Sequence, residues 1–251
     1  MKIVRYKKEA EIKTGILTED KIKPITGQMT EDYNINSYCD SLDEVELIRP
    51  CQPRKVVCVG LNYRDHAQEL NMSLPQEPII FLKPASAVIG PNDKINYPAM
   101  AEQIDYEAEL AVVIKDEIKD ISPAQAKEHI LGYTCFNDIT ARGLQGRDGQ
   151  WTRAKSFDTF APLGPVIETE LEVDNLAIKL YQNGELKQSS TTRQMIFSVP
   201  EIVSFISQIM TLYPEDVIAT GTPPGVGEIK AGDQVEVVIE EIGGLKNRLE
   251  G

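Results

Sequence analysis

Several kinds of protein are ruled out by what this 251-residue sequence has little of. It carries two histidines, His66 and His129, and four cysteines with no Cys-x-x-Cys spacing. Two imidazoles are too few for a histidine-rich zinc or iron site, and four scattered thiols make no disulfide framework; buried, reduced cysteines are the expectation. No apolar run approaches the ~20 residues that span a bilayer. The basic start Met1-Lys2-Ile3-Val4-Arg5 lacks the apolar core of a signal peptide, so a cytoplasmic protein is expected. Cations are also in short supply, 26 against 39 Asp and Glu, for a formal net charge of -13. Such a chain repels nucleic acid and anionic membrane. An anionic substrate would therefore need a local cluster of cations, a metal above all.

What is present suits a sizeable strand-rich core. The chain is 41% hydrophobic, with 15 prolines and 17 glycines punctuating short Val/Ile-rich segments. Residues 1–50 are charged and weakly patterned and read as a small appendage. Arg49-Pro50-Cys51-Gln52-Pro53 breaks the backbone, and residues 51–251 read as the main domain. Ser122-Pro123-Ala124-Gln125 and Ser198-Val199-Pro200-Glu201 are helix starts of the capping-box type, the second followed by the stripe Ile202, Phe205, Ile206, Ile209. A shorter helix is predicted over 62–70, capped by Asn62. Strands are predicted over 2–6, 14–16, 79–82, 110–114, 132–136, 164–167, 177–182, 217–219 and 234–239, with a two-residue hairpin turn at Asn183-Gly184. The pattern predicts an α+β, mainly β architecture.

The most informative segment is Asp105-Tyr106-Glu107-Ala108-Glu109, ahead of the apolar run Leu110-Ala111-Val112-Val113-Ile114. On a strand Glu107 and Glu109 point the same way, toward the interior. Two buried like charges cost several kcal/mol unless compensated, and a divalent cation compensates them most simply. Asp138, after the strand at 132–136, would complete an all-oxygen site suited to Mg²⁺, Mn²⁺ or Ca²⁺. His66 and Glu69, three apart on the predicted helix, share a face, so the carboxylate can orient the imidazole as a general base. Lys155 lies in a polar stretch, Trp151 to Asp158, that reads as a loop, where a lysine is ordinarily a solvated charge. Thr220-Gly221-Thr222-Pro223-Pro224-Gly225 lacks the lysine of a phosphate loop and reads as a turn able to offer N–H groups to an anion.

In order along the chain, Gly60-Leu61-Asn62-Tyr63 through His66, Phe81-Leu82-Lys83-Pro84, Asp105 through Ala111, Asn137-Asp138-Ile139-Thr140-Ala141-Arg142, Lys155-Ser156-Phe157-Asp158 and Thr220-Gly221-Thr222-Pro223 resemble the fumarylacetoacetate hydrolase family. The resemblance spans about residues 55–245 and is nearest to short bacterial and archaeal, acylpyruvase-like members. It implies a mixed β-roll, usually a homodimer. It implies Mg²⁺ or Mn²⁺ on Glu107, Glu109 and Asp138, a water-activating dyad of His66 and Glu69, and Lys155 beside the metal. Arg142 and Gln145 would contact substrate, and Thr222 its carboxylate. Gly143 stands where many members have aspartate, which predicts a looser loop at Arg142. The implied chemistry is cleavage or proton transfer next to the ketone of a 2-oxo acid. Hydrolysis of an acylpyruvate to pyruvate and a carboxylic acid is the first expectation, since the dyad is present. The alternatives are isomerisation or decarboxylation of 2-oxo dioic acids of aromatic catabolism, as by a 2-hydroxyhepta-2,4-diene-1,7-dioate isomerase, or oxaloacetate decarboxylation or tautomerisation.

Overall fold

The computed structural model describes residues 1–251. Val/Ile-rich runs broken by glycine and proline produce the mainly β, mixed roll expected of this sequence. Its long sheet places Lys2–Lys8 beside Ala161–Glu168, then Ile130–Asn137, Ala108–Ile114, Val217–Ala219, Lys55–Val59 and Ile80–Pro84. Val217–Ala219 and Lys55–Val59 pair in parallel, whereas Ala108–Ile114 is antiparallel to both of its neighbours. Every side chain of Ala108–Ile114 is buried, as befits a strand covered on both faces. A five-stranded sheet running from Lys94–Asn96 to Glu185–Thr191 packs nearby, and a three-stranded one is built on Ile104–Tyr106. The first strand, Lys2–Lys8, joins the long sheet through Ala161–Glu168.

Helices are few: α1 (Arg64–Glu69), α2 (Arg142–Asp148), α3 (Thr152–Lys155) and α4 (Val199–Ile209). None is long and apolar enough to cross a membrane. The capping boxes at Ser122 and Ser198 both form, although the segment behind Ser122 winds as a 3₁₀-helix, Pro123–His129. In α4, Ile202 and Ile206 are buried while Ile209 faces solvent, so the predicted stripe ends one turn early. Asn183 and Gly184 both take positive φ, as a tight hairpin turn between Ala177–Gln182 and Glu185–Thr191 requires. Asn62 does not cap α1, which begins after Tyr63. Its amide is used elsewhere, donating to the carbonyls of Phe197 and Thr220 and accepting from the Phe197 N–H. Three cysteines are buried as expected, but Cys39 is exposed.

Candidate metal centre and its cavity

Glu107 does not lie on a continuous strand with Glu109. It occupies the joint where the chain leaves Ile104–Tyr106 in the small sheet and enters Ala108–Ile114 in the long one. Strict alternation therefore does not explain the pair; the joint does, held by the Glu107 N–H on Asn137 Oδ1 and the Asp138 N–H on Glu107 O. Asp138 lies in the matching joint between Ile130–Asn137 and Thr140–Ala141. Glu107, Glu109 and Asp138 are all buried, and one oxygen from each falls within 4.8 Å of the others.

Cations are distributed unequally over these carboxylates. Lys155, only 2% exposed, reaches Glu107 Oε2 at 2.9 Å and Asp138 Oδ2 at 2.6 Å, which overturns its reading as a solvated charge. Of the predicted loop, Thr152–Lys155 winds as the single turn α3, and Ser156 to Asp158 is irregular. Arg142 donates to Glu107 Oε1 at 2.5 Å, to Asp105 Oδ2 at 2.7 Å and to Gln145 Oε1. The predicted loosening at Gly143 is absent, because Gly143 lies inside α2, whose first turn brings Arg142 and Gln145 together. Glu109 has no cation of its own and accepts one N–H, from Gly221, at 2.8 Å.

The acidities follow. Burial would raise the Glu107 carboxyl, but Lys155 and Arg142 outweigh it and bring it down to about 2. Burial, reinforced by Asp138 and Glu107, holds the Glu109 carboxyl well above its usual range. Burial works against the Lys155 ammonium too, yet Asp138 and Glu107 keep it charged far into alkali. A cluster of three buried oxygen donors, one of them lacking any counter-charge, fits a hard divalent cation.

Two buried groups escaped sequence reasoning. Lys83 is fully buried in Ile80–Pro84, hydrogen-bonded to the carbonyls of Ile139 and Phe160. Its Nζ lies 2.6 Å from Asp138 Oδ1, an ion pair without hydrogen-bond alignment. A lysine directly after the apolar run Ile80-Phe81-Leu82, on the same strand, was the available signal. Gln188, also fully buried, accepts the Ala108 N–H and donates to Thr222 Oγ1 and Pro223 O, tying the strand that carries Glu109 to the glycine-rich loop. Nothing in its polar hairpin strand announced this role.

A cavity of about 600 Å³ opens over the three carboxylates. His66, Arg142, Gln145, Lys155 and Thr222 line it as well. Glu69 does not: it lies behind His66, its Oε2 2.8 Å from His66 Nδ1 and its Oε1 accepting the Gly225 N–H at 3.0 Å. The glycine-rich loop thus spends two N–H groups on carboxylates of the protein, Glu109 and Glu69. The Thr222 hydroxyl donates to Ala108 O and accepts from Gln188, so both of its polar roles are filled internally.

With this geometry in view, the comparisons with known proteins are specific. Residues 55–250 match the model of the fumarylacetoacetate (FAA) hydrolase C-terminal domain, and residues 1–50 match an Rv2993c-like N-terminal model. The mitochondrial oxaloacetate tautomerase FAHD2B of Bos taurus is 48% identical over 219 residues, 82% of this chain and 70% of the relative. The crystal structure of a 5-carboxymethyl-2-hydroxymuconate delta-isomerase from Mycobacterium smegmatis superposes with a TM-score of 0.94 at 40% identity, covering 100% of this chain and 99% of the other. A fumarylacetoacetate hydrolase from Exiguobacterium antarcticum gives 0.91 at 36% identity, again over 100% and 99%.

Proposed function

Because this chain belongs to the fumarylacetoacetate hydrolase family, we propose that it is a divalent-metal-dependent enzyme that moves a proton between the keto and enol forms of a 2-oxo acid, with oxaloacetate as substrate. The observation that carries this reading is a histidine and a carboxylate-lined metal centre sharing one cavity. His66 is oriented from behind by Glu69, so that Nε2 is the free ring nitrogen. The naming of the 48% identical bovine relative as an oxaloacetate tautomerase supports the choice of substrate.

A cation held by Glu107, Glu109 and Asp138 would supply positive charge beside the 2-oxo oxygen, where negative charge develops. His66 Nε2 takes the C3 proton, the C–H electron pair becomes the C2–C3 double bond, and the carbonyl π pair moves onto the oxygen, which takes a proton from water while the imidazolium returns its own to water. Glu69 stabilises the imidazolium while the proton rests there. The Gln145 amide nitrogen stays free to donate, because Arg142 occupies only its oxygen. Lys155 and Arg142 keep Glu107 ionised and therefore available as a ligand at neutral pH.

A second reading, hydrolysis of an acylpyruvate, is favoured by the same dyad beside a cavity far larger than a four-carbon acid fills. Here His66 deprotonates a water that adds to the C4 carbonyl. The C3–C4 bond then breaks, its electron pair stays on C3, and protonation there gives pyruvate and a carboxylic acid. Proton NMR of oxaloacetate and of acetylpyruvate, each with protein and Mg²⁺ and with excess chelator, separates the two. Chelator-sensitive acceleration of C3 exchange and keto–enol equilibration in oxaloacetate, with acetylpyruvate intact, is the expected result. Acetate and pyruvate from acetylpyruvate would install the second reading, and silence on both would remove each.

A further inference from the structure

The cavity has a second half that neither the metal centre nor the dyad uses. Phe81 joins the two ends: the Lys155 ammonium lies 5.1 Å from the centre of its ring, and the Trp151 ring meets it in a T-shaped contact with centroids 5.2 Å apart. Beyond Phe81 the wall is apolar. Trp151 packs against Gly60, where a Cβ would stand 3.1 Å from the indole and 3.5 Å from the Ile79 Cβ, so the glycine makes room for the ring. Ile79, Leu70 and Met72 line the same cavity yet remain 45%, 49% and 53% exposed, large apolar side chains left facing open space. Apolar surface of this kind adjoining a polar site marks ligand contact.

Charge is absent from this half. Lys155 and Arg142 are the only lysine and arginine lining the cavity, and each already holds two carboxylates at the metal end. A second carboxylate two carbons from the ketone, as in oxaloacetate, stays beside those cations. One carried further out would lie against Trp151 and Ile79 with no lysine or arginine of the cavity left to pair it.

We infer that the Trp151 half of the cavity is a subsite for an uncharged hydrocarbon chain, so that the enzyme takes longer 2-oxo acids with apolar tails and rejects those of equal length ending in carboxylate. The inference rests on the reading that a 2-oxo acid head binds at the metal end.

The test is binding to the Mg²⁺-loaded protein by calorimetry, with pyruvate, 2-oxohexanoate and 2-oxoadipate as probes. Each methylene buried is worth about fourfold in affinity, so 2-oxohexanoate is expected to bind at least ~10-fold more tightly than either of the others. Trp151 is the only tryptophan of the chain, and its emission should shift to the blue with 2-oxohexanoate and not with pyruvate. Ile79→Arg should reverse the order of the two six-carbon acids. Chelator-sensitive pyruvate binding with no gain from the tail, or 2-oxoadipate binding as well as 2-oxohexanoate, overturns the subsite and leaves the head-group reading standing. Chelator-insensitive or absent binding of all three removes both.

Discussion

The floor and the rim of this cavity are built on opposite principles. The floor is a joint between two sheets in which the three carboxylates and both lysines are buried, and most of the charges are paired: Glu107 with Lys155 and the half-buried Arg142, Asp138 with Lys155 and Lys83. The rim is one short helix and the segment after it, carrying Leu70, Met72 and Ile79 half in the open. The difference teaches where each kind of recognition is affordable. Charge stabilisation needs low dielectric and fixed geometry, which only the sheet joint provides. Contact with a hydrocarbon tail is non-directional and tolerates an open wall.

The contrast predicts graded responses to substitution. Lys155→Met should have the largest effect, leaving Glu107 and Asp138 short of a buried partner. In chelator, denaturant unfolding should show a loss of about 3–5 kcal/mol, with turnover abolished; unfolding like the parent would mean that the floor is not built on this cation. His66→Gln, at the boundary of the two regions, should cut turnover by about 10²–10⁴-fold. Its melting temperature should stay unchanged, and full activity would take proton transfer away from the dyad.

Glu109→Gln divides the floor itself. Folded Glu109 keeps its proton to higher pH than the unfolded chain does, so the folded state binds more protons above the ordinary value of 4.5. Metal-free stability should therefore fall as pH rises beyond that value. Glu107 does the reverse: its contribution is complete above 4.5 and is lost as pH drops toward about 2. The variant should erase the first slope and keep the second, while losing metal by elemental analysis. A parent protein with no decline above pH 4.5 in chelator would contradict the unpaired state of Glu109. The smallest effect belongs to the rim, where Leu70→Ser should change stability by no more than about 0.5 kcal/mol; a larger loss in unfolding experiments would mean that the rim is structural.

Strand and helix positions were readable because they depend on local spacing: 177–182, 217–219 and 234–239 form as expected, and Ser122 and Ser198 cap as expected. The acidic cluster was readable for a different reason, since buried carboxylates close together are costly enough to stand out. Strand alternation alone does not place Glu107, which reaches the site from a joint between two strands. Lys83, Gln188 and the dual use of the glycine-rich loop were hidden because their partners lie far away in sequence. Gln188 contacts Ala108 across 80 residues, and Gly221 contacts Glu109 across 112. Only the roll brings these together. Arg142 escaped full description for the same reason, its aim being set by Asp105 as much as by its neighbours in α2.

The continuation of the long sheet through the first strand has a consequence during synthesis. Arg5, Tyr6 and Lys7 find their partners in Glu46–Ile48, soon after they are made, whereas Lys2 and Ile3 pair with Glu168 and Ile167. At ~5–20 residues per second, that second half of the strand edge waits on the order of 10–30 s for its neighbour. Throughout that interval the nascent chain displays an unpaired β-edge next to Ile3 and Val4, the exposure that invites pairing between chains. Synthesis is therefore the stage at which this particular edge is open to another chain.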